Sequence, residues 1–371
     1  MLFRISNVLA NRLKSLGGKV EFIDAVESDT VRLSDTPEKL GRMVKATFSG
    51  TGTRKILMIV HMDTVYPRGM LAQQPFRIEG DRAYGLGIAD ARGGIATILH
   101  TLSMLKSMNF RDYGTITVFI NADEEIGSPG SRNHHMRLGA EHDAVMSFEG
   151  GGSPKSDRVR LATSGHALAL LTVRGRASHA GASPHLGVNA LDELAHQILQ
   201  MRDLSDPATG VKVNWTLARA GIVFNMIPPG AQATADVRVA RIADYDGIEQ
   251  RLRERIKNKL LPDSAVELVF ERRFPPLEPK PSSRALAGHA QSIYAEQGLK
   301  LDVLEDSAGG FTDAANASLK TKAPVIEGFG LHGFGAHTTN AEYILTSSIE
   351  PRLYLATRMI MDISSGKAPL K

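Results

Sequence analysis

Leu57-Met58-Ile59-Val60-His61-Met62-Asp63-Thr64-Val65 is an apolar run that climbs to a histidine, with an aspartate two places on. Its length, β-branched content and polar flanks predict a buried strand. Residues two apart on a strand point the same way, so His61 and Asp63 stand together where the strand runs out. In open α/β sheets that carboxyl end is where ligands bind. An imidazole steadied by a carboxylate is also how proteins present a neutral nitrogen to a metal. A core histidine capped by an aspartate accounts for the pair equally well at this point. Matching acids further along the chain favour the metal.

Residues 114–121 form a second apolar strand, ending in Asp123-Glu124-Glu125, and residues 144–148 a third, ending in Glu149. Three consecutive acids repel one another, and at a strand end they call for a cation. If these strands are parallel neighbours, His61, the Glu124-Glu125 pair and Glu149 converge. Asp90 lies in a glycine-rich run, where capping the helix over 95–108 is its simplest role. That run does not have the spacing of a dinucleotide loop. Gly50-Thr51-Gly52 is expected to be a hairpin connection between strands 43–48 and 56–60. It lacks the lysine of a phosphate loop.

The 371 residues include 42% hydrophobic and 23% charged side chains, an ordinary globular mixture. The formal charge is +4 and no apolar run is long enough to span a bilayer. The basic residues are scattered, apart from a cluster over 251–259 expected on a solvated helix face. Neither nucleic acid nor membrane is therefore an expected partner. There is no cysteine, so a metal must be held by histidine and carboxylate, which suits zinc. The start reads as an amphipathic helix rather than a signal peptide. A soluble protein, cytoplasmic or periplasmic, is expected, and the compartment stays open.

From about Thr163 the texture changes to strand 166–174, helix 186–202, strands 211–220 and 231–240, helix 245–260 and strand 265–270. This is the β-α-β-β-α-β order of a split βαβ sandwich. Pro275, Pro276, Pro279 and Pro281 close it, and helices over 283–297 and 349–363 follow. The expectation is an α/β/α catalytic domain of residues 1–163 and 279–371, interrupted by an α+β, ferredoxin-like lid domain of residues 164–278.

The motifs together resemble the M20 metallopeptidases, and within them the glutamate carboxypeptidases. The resemblance is carried by His61-Met62-Asp63-Thr64-Val65, Gly85-Leu86-Gly87-Ile88-Ala89-Asp90-Ala91-Arg92-Gly93-Gly94, Asp123-Glu124-Glu125-Ile126-Gly127-Ser128 and Ser147-Phe148-Glu149. Ala177-Ser178-His179-Ala180-Gly181 and Gly335-Ala336-His337-Thr338-Thr339-Asn340-Ala341-Glu342 complete it in the family's order. It implies a zinc-exopeptidase-like fold with two zinc ions per chain. Asp90 would bridge them, with His61 and Glu149 on one and Glu125 and His337 on the other. His332 is the rival of His337, which is preferred because Glu342 follows at the family's spacing.

The resemblance further implies that Asp63 orients His61 and that Glu124 is the general base for a metal-bridging water. The Asp90–Ala91 peptide would be cis. His179 would polarise the scissile carbonyl in a partner's active site, which implies a homodimer through the inserted domain. Asn225 and Arg238 would hold the substrate's terminal carboxylate. Gly310 and Thr312 belong to a matching substrate loop, with Phe311 where relatives tend to have glycine. The regions of Arg158-Val159-Arg160 and Arg272-Arg273 depart from the pattern of glutamate-preferring relatives. His134, His135 and His185 have only surface readings. The implied activity is cleavage of an amide bond to release a C-terminal amino acid, glutamate or similar, from peptides or N-acyl conjugates. An aminopeptidase, a dipeptidase and an N-acyl amino acid deacylase are rivals, and a non-catalytic ligand-binding relative is a rival of another class.

Overall fold

The strand Lys55–His61 is flanked on both sides by parallel partners, Thr115–Asn121 and Ala144–Ser147. The computed structural model describes residues 2–153, 156–307, 309–338 and 341–371. Among them the sheet has nine strands, in the order 19–23, 43–49, 115–121, 55–61, 144–147, 325–327, 156–160 and 302–304, with 152–153 paired to 156–160 off the main path. Parallel strands covered on both faces read as continuous apolar runs, and all but the first residue of both 55–61 and 115–121 are buried.

Ile56, Met58 and Val60 join a core with residues of helices Leu2–Ser15, Gly93–Ser107, Pro281–Glu296 and Ile349–Ser364. Strand side chains alternate, so Leu57 and Ile59 point to the other face. Helices Arg132–Glu141 and Asp313–Ser318 pack on that strand, the second of them also on Ala144–Ser147. The result is the expected α/β/α layering.

The hairpin expected at Gly50-Thr51-Gly52 does not form. Strands 43–49 and 55–61 are separated by 115–121, which pairs with both. The turn instead docks on the segment before that strand: Gly50 N donates to Gly114 O (3.0 Å) and Gly52 N to Tyr113 O (3.0 Å). A Cβ at Gly52 would lie 1.6 Å from the Asp112 carbonyl oxygen, so its glycine serves close approach rather than a two-residue hairpin. A hairpin does form near residue 80, as 77–79 and 82–84. Its extension by 343–345 and 333–334 into a small four-stranded sheet was not legible locally.

Contacts divide the chain into two units, residues 1–162, 278–306 and 312–371, and residues 163–277 with 307–311. The second unit has an antiparallel sheet in the order 212–220, 230–239, 165–174, 265–274. Ala167, Ala169, Leu171 and Val173 alternate inward onto helices Ala190–Gln200 and Asp244–Arg255. The first of these starts later than expected. The Asn189 side chain caps it by accepting from the N–H groups of Leu191 and Asp192.

Candidate metal centre

His61 stands at the end of its strand, 1% exposed, with two carboxylates on Nε2: Asp90 Oδ1 at 2.9 Å and Glu149 Oε1 at 3.3 Å. The other oxygen of Asp90 faces the late loop, where His337 Nε2 lies 3.2 Å from Oδ2 and 3.0 Å from Glu125 Oε2. Two groups of potential ligands result, His61–Asp90–Glu149 and Asp90–Glu125–His337, each with donor atoms within 4.8 Å of one another. Asp90 belongs to both. Thr339 and Asn340 of the His337 motif lie outside the described residues.

Each donor arrives on a different element, and each arrival has a local cause. The parallel pairing brings the ends of 55–61, 115–121 and 144–147 side by side. Asp90 is delivered by the turn before helix Gly93–Ser107, and the Asp90–Ala91 peptide is cis. Gly94 lets that helix close on the third strand end, since a Cβ there would meet the Phe148 carbonyl oxygen at 1.7 Å. Asp63 ties two parts together. Its carboxylate lies 3.4 Å from His61 Nδ1 and accepts the backbone N–H groups of Glu124 (3.3 Å) and Glu125 (3.1 Å). Glu124 is buried beside the cluster and is in neither ligand group.

The electrostatics show a site that holds protons in the absence of metal. Hydrogen bonding to Asp90, aided by the Glu125 charge, raises the His337 pKa to about 9 against the effect of burial. His61 is raised too: burial opposes its charge, but Glu149, Asp63 and Asp90 outweigh it. Burial lifts Glu125 and Glu149 to about 7, with Asp90 repelling both. Burial also pushes Glu124 well up, with Glu149 and Asp313 adding to it. Asp90 is displaced downward, because bonds from His337 and His61 overcome its burial. Two imidazoles and three carboxylates without sulfur form a donor set suited to zinc or a similar borderline ion.

Other expected residues fall elsewhere. His332 is buried 3.2 Å from Asp157 and is not in the cluster. His135 is not a surface residue: it is fully buried, 3.2 Å from Asp313, with its ring edge-on to Phe119. The packing of helices Arg132–Glu141 and Asp313–Ser318 encloses it. Asp313 also accepts from Asn121 (2.6 Å) and Ser128 (2.5 Å), bracing the turn that carries Glu124 and Glu125. Thr312 is buried, its hydroxyl donating to Glu327 (2.5 Å) and capping the following helix, so it is committed to structure.

On the second unit, His179 is exposed and its Nδ1 accepts from Gly181 N (3.1 Å) and Ala182 N (3.0 Å). The proton of the neutral ring therefore sits on Nε2. The His179 turn pairs with residues 225–227, and Ala180 N donates to Asn225 O (2.9 Å). Arg238 makes a two-pronged pair with Asp236 (2.8 Å twice), donates to Gly309 O (3.1 Å) and lies over the Phe311 ring. Phe311 stacks between His166 and Phe274. Gly310 accepts from Ser164 N (2.8 Å). The aromatic stack was not foreseen, because Phe311, His166 and Phe274 are far apart in sequence.

A family model described as peptidase family M20/M25/M40 matches residues 57–362. Carboxypeptidase G2 of Pseudomonas sp. (strain RS-16) is 44% identical over 361 residues, 97% of this chain and 84% of that protein. Among solved structures, a tripeptidase from Staphylococcus aureus superposes with a TM-score of 0.80 at 19% identity, covering 97% of this chain and 92% of the other. A metallo-carboxypeptidase from Sulfolobus solfataricus superposes with a TM-score of 0.77 at 15% identity, covering 98% and 94%.

Proposed function

This chain belongs to peptidase family M20/M25/M40, and from that premise we propose that it is a two-zinc carboxypeptidase. It would release a C-terminal amino acid, glutamate or similar, from peptides or N-acyl conjugates. The observation that carries the reading is the division of Asp90 between two histidine–carboxylate pairs. His61 and Glu149 would hold one ion, Glu125 and His337 the other, with Asp90 shared. Ions held so would activate water and offset charge on the carbonyl oxygen.

Glu124 takes the proton of the attacking water and delivers it to the leaving amine. Its burial raises its proton affinity, which suits both halves of that task. Asp63 couples this base to the first histidine, since one carboxylate touches both. His179 would hydrogen-bond through its Nε2–H to the developing oxyanion of a partner's substrate. Arg238 and Asn225 receive the terminal carboxylate. The likeness to carboxypeptidase G2 supports a free carboxylate on the leaving side.

A homodimer through the second unit is part of this reading. Among the described residues, Lys212–Ala220 is an edge strand with an unpaired side. Leu217, Ile222 and Phe224 on or beside it are exposed, as are Leu191 and Leu199 of helix Ala190–Gln200. A second copy of the chain would cover them.

The test is hydrolysis of dipeptides and N-acyl amino acids by chelated protein before and after zinc is restored, with C-terminally amidated analogues in parallel. Zinc should restore cleavage of the free acids, and the amides should be poor substrates. Arg238→Ala should lower kcat/KM for the free acids by at least about tenfold and leave the amides nearly unchanged, as expected for loss of one partner of a buried charge pair. Efficient wild-type cleavage of the amides would rule out the carboxypeptidase reading.

A further inference from the structure

Glu342 is only 4% exposed and lies outside both ligand groups. Its carboxylate grips the backbone of the loop that carries Asp90. Oε2 accepts from Gly87 N (2.7 Å), and Oε1 accepts from Ala89 N (2.8 Å) and Asp90 N (3.1 Å). That turn has no side-chain cap at Gly87, so Glu342 supplies from a distance what a local cap would. Oε2 also accepts the Tyr66 hydroxyl at 2.6 Å. Four donors on one carboxylate leave it little capacity to bind a metal.

Tyr66 follows closely on Asp63, and its hydroxyl also stands 3.3 Å from the carbonyl oxygen of Thr338. Thr338 is the residue after His337, whose φ of +61° is a left-handed conformation that side chains other than glycine seldom adopt. The turn is held further by Thr338, whose hydroxyl donates to Gly335 O at 2.6 Å. The phenol thus touches the grip on the Asp90 loop and the His337 turn together.

We propose that Glu342 and Tyr66 are positioning residues that set the spacing between the two halves of the metal centre. Glu342 fixes the backbone of Asp90, which both halves share. Tyr66 locks that grip to the turn presenting His337. The inference rests on the two-metal reading above.

The test is titration of the chelated full chain with cobalt(II), read by visible absorption and by competition with a chelator, with thermal unfolding measured alongside. Glu125→Gln serves to identify which equivalent occupies the Glu125–His337 side. Tyr66→Phe should weaken that equivalent about 10–100-fold, the usual effect of removing a group that orients a ligand, and leave the other unchanged. Glu342→Gln sets an amide NH₂ against the Gly87 N–H and should weaken both equivalents. Lowered thermal stability with both affinities unchanged would reduce the pair to a structural role and overturn the proposal. Equal weakening of both equivalents in Tyr66→Phe would overturn it as well. If Glu342→Gln does not fold, Tyr66→Phe decides alone. A wild type that takes up a single equivalent would instead overturn the two-metal reading, and this inference with it.

Discussion

Glu124 and Glu125 are adjacent in sequence yet lie in different surroundings. Glu125 reaches His337 at 3.0 Å, whereas Glu124 lies buried outside both ligand groups. Glu124→Gln should therefore leave metal uptake nearly intact and lower turnover by about 10²–10⁴, the range for a general acid-base group. Glu125→Gln should weaken one metal equivalent. Equal metal loss in both variants, measured after dialysis, would refute this division of roles. The protons held by the site give a second expectation. His337 keeps its proton up to about pH 9, and an unfolded imidazole loses it near 6.5. Between pH 7 and 9 the folded metal-free protein therefore binds more protons than the unfolded one, so its stability falls as pH rises. His61, also raised, acts with the same sign. The Tm of metal-free protein should drop across that window. Zinc, which displaces the protons, should bind more tightly as pH rises and flatten the slope. A Tm rising from pH 7 to 9 would contradict the held-proton account.

At the scale of elements, two glycines in helices separate close approach from mere absence of a side chain. A Cβ on Gly94 would collide with the Phe148 carbonyl, one residue before Glu149, whereas one on Gly288, in helix Pro281–Glu296, would meet nothing within 4 Å. Gly94→Ala should lower stability by at least about 1–3 kcal/mol through overpacking and disturb the His61–Asp90–Glu149 group. Gly288→Ala should raise it by about 0.4–1 kcal/mol. Chemical denaturation of both variants checks the contrast. The strands that end at or just before His61, Glu124-Glu125 and Glu149 were legible because each is a short, mainly apolar run that gives way to polar residues. The pairing of 43–49 with 115–121 rather than 55–61 was not, since strand order depends on contacts that no local pattern encodes.

For the whole molecule, the sequence reading and the fold agree on an M20-type catalytic fold and an inserted split βαβ sheet. Residues 307–311 belong with the second unit, where Phe311 stacks with His166 and Phe274. No described helix is long and apolar enough to cross a membrane. If His179 serves a partner subunit, inactive His179→Ala and inactive Glu124→Gln chains should complement each other. Mixed dimers should recover part of the wild-type kcat, since one of their two sites combines an intact Glu124 with an intact His179. No recovery with subunit exchange verified would place His179 in cis or outside the reaction.

The chain alone determined the residue types available for chemistry. Without cysteine, and with histidine and acids at the ends of apolar strands, its metal chemistry had to be nitrogen and oxygen. It also determined the layers, because strand and helix periods are local and repeat along the backbone. Tertiary structure decided which side chains meet. It set His337 against Asp90 and Glu125 and His332 against Asp157, and it buried His135 against Asp313. It also turned Glu342 from a spacing mark into the carboxylate that holds the Asp90 loop. Those choices rest on hydrogen bonds between residues remote in sequence, which become possible only when the packed sheet has brought their backbones together.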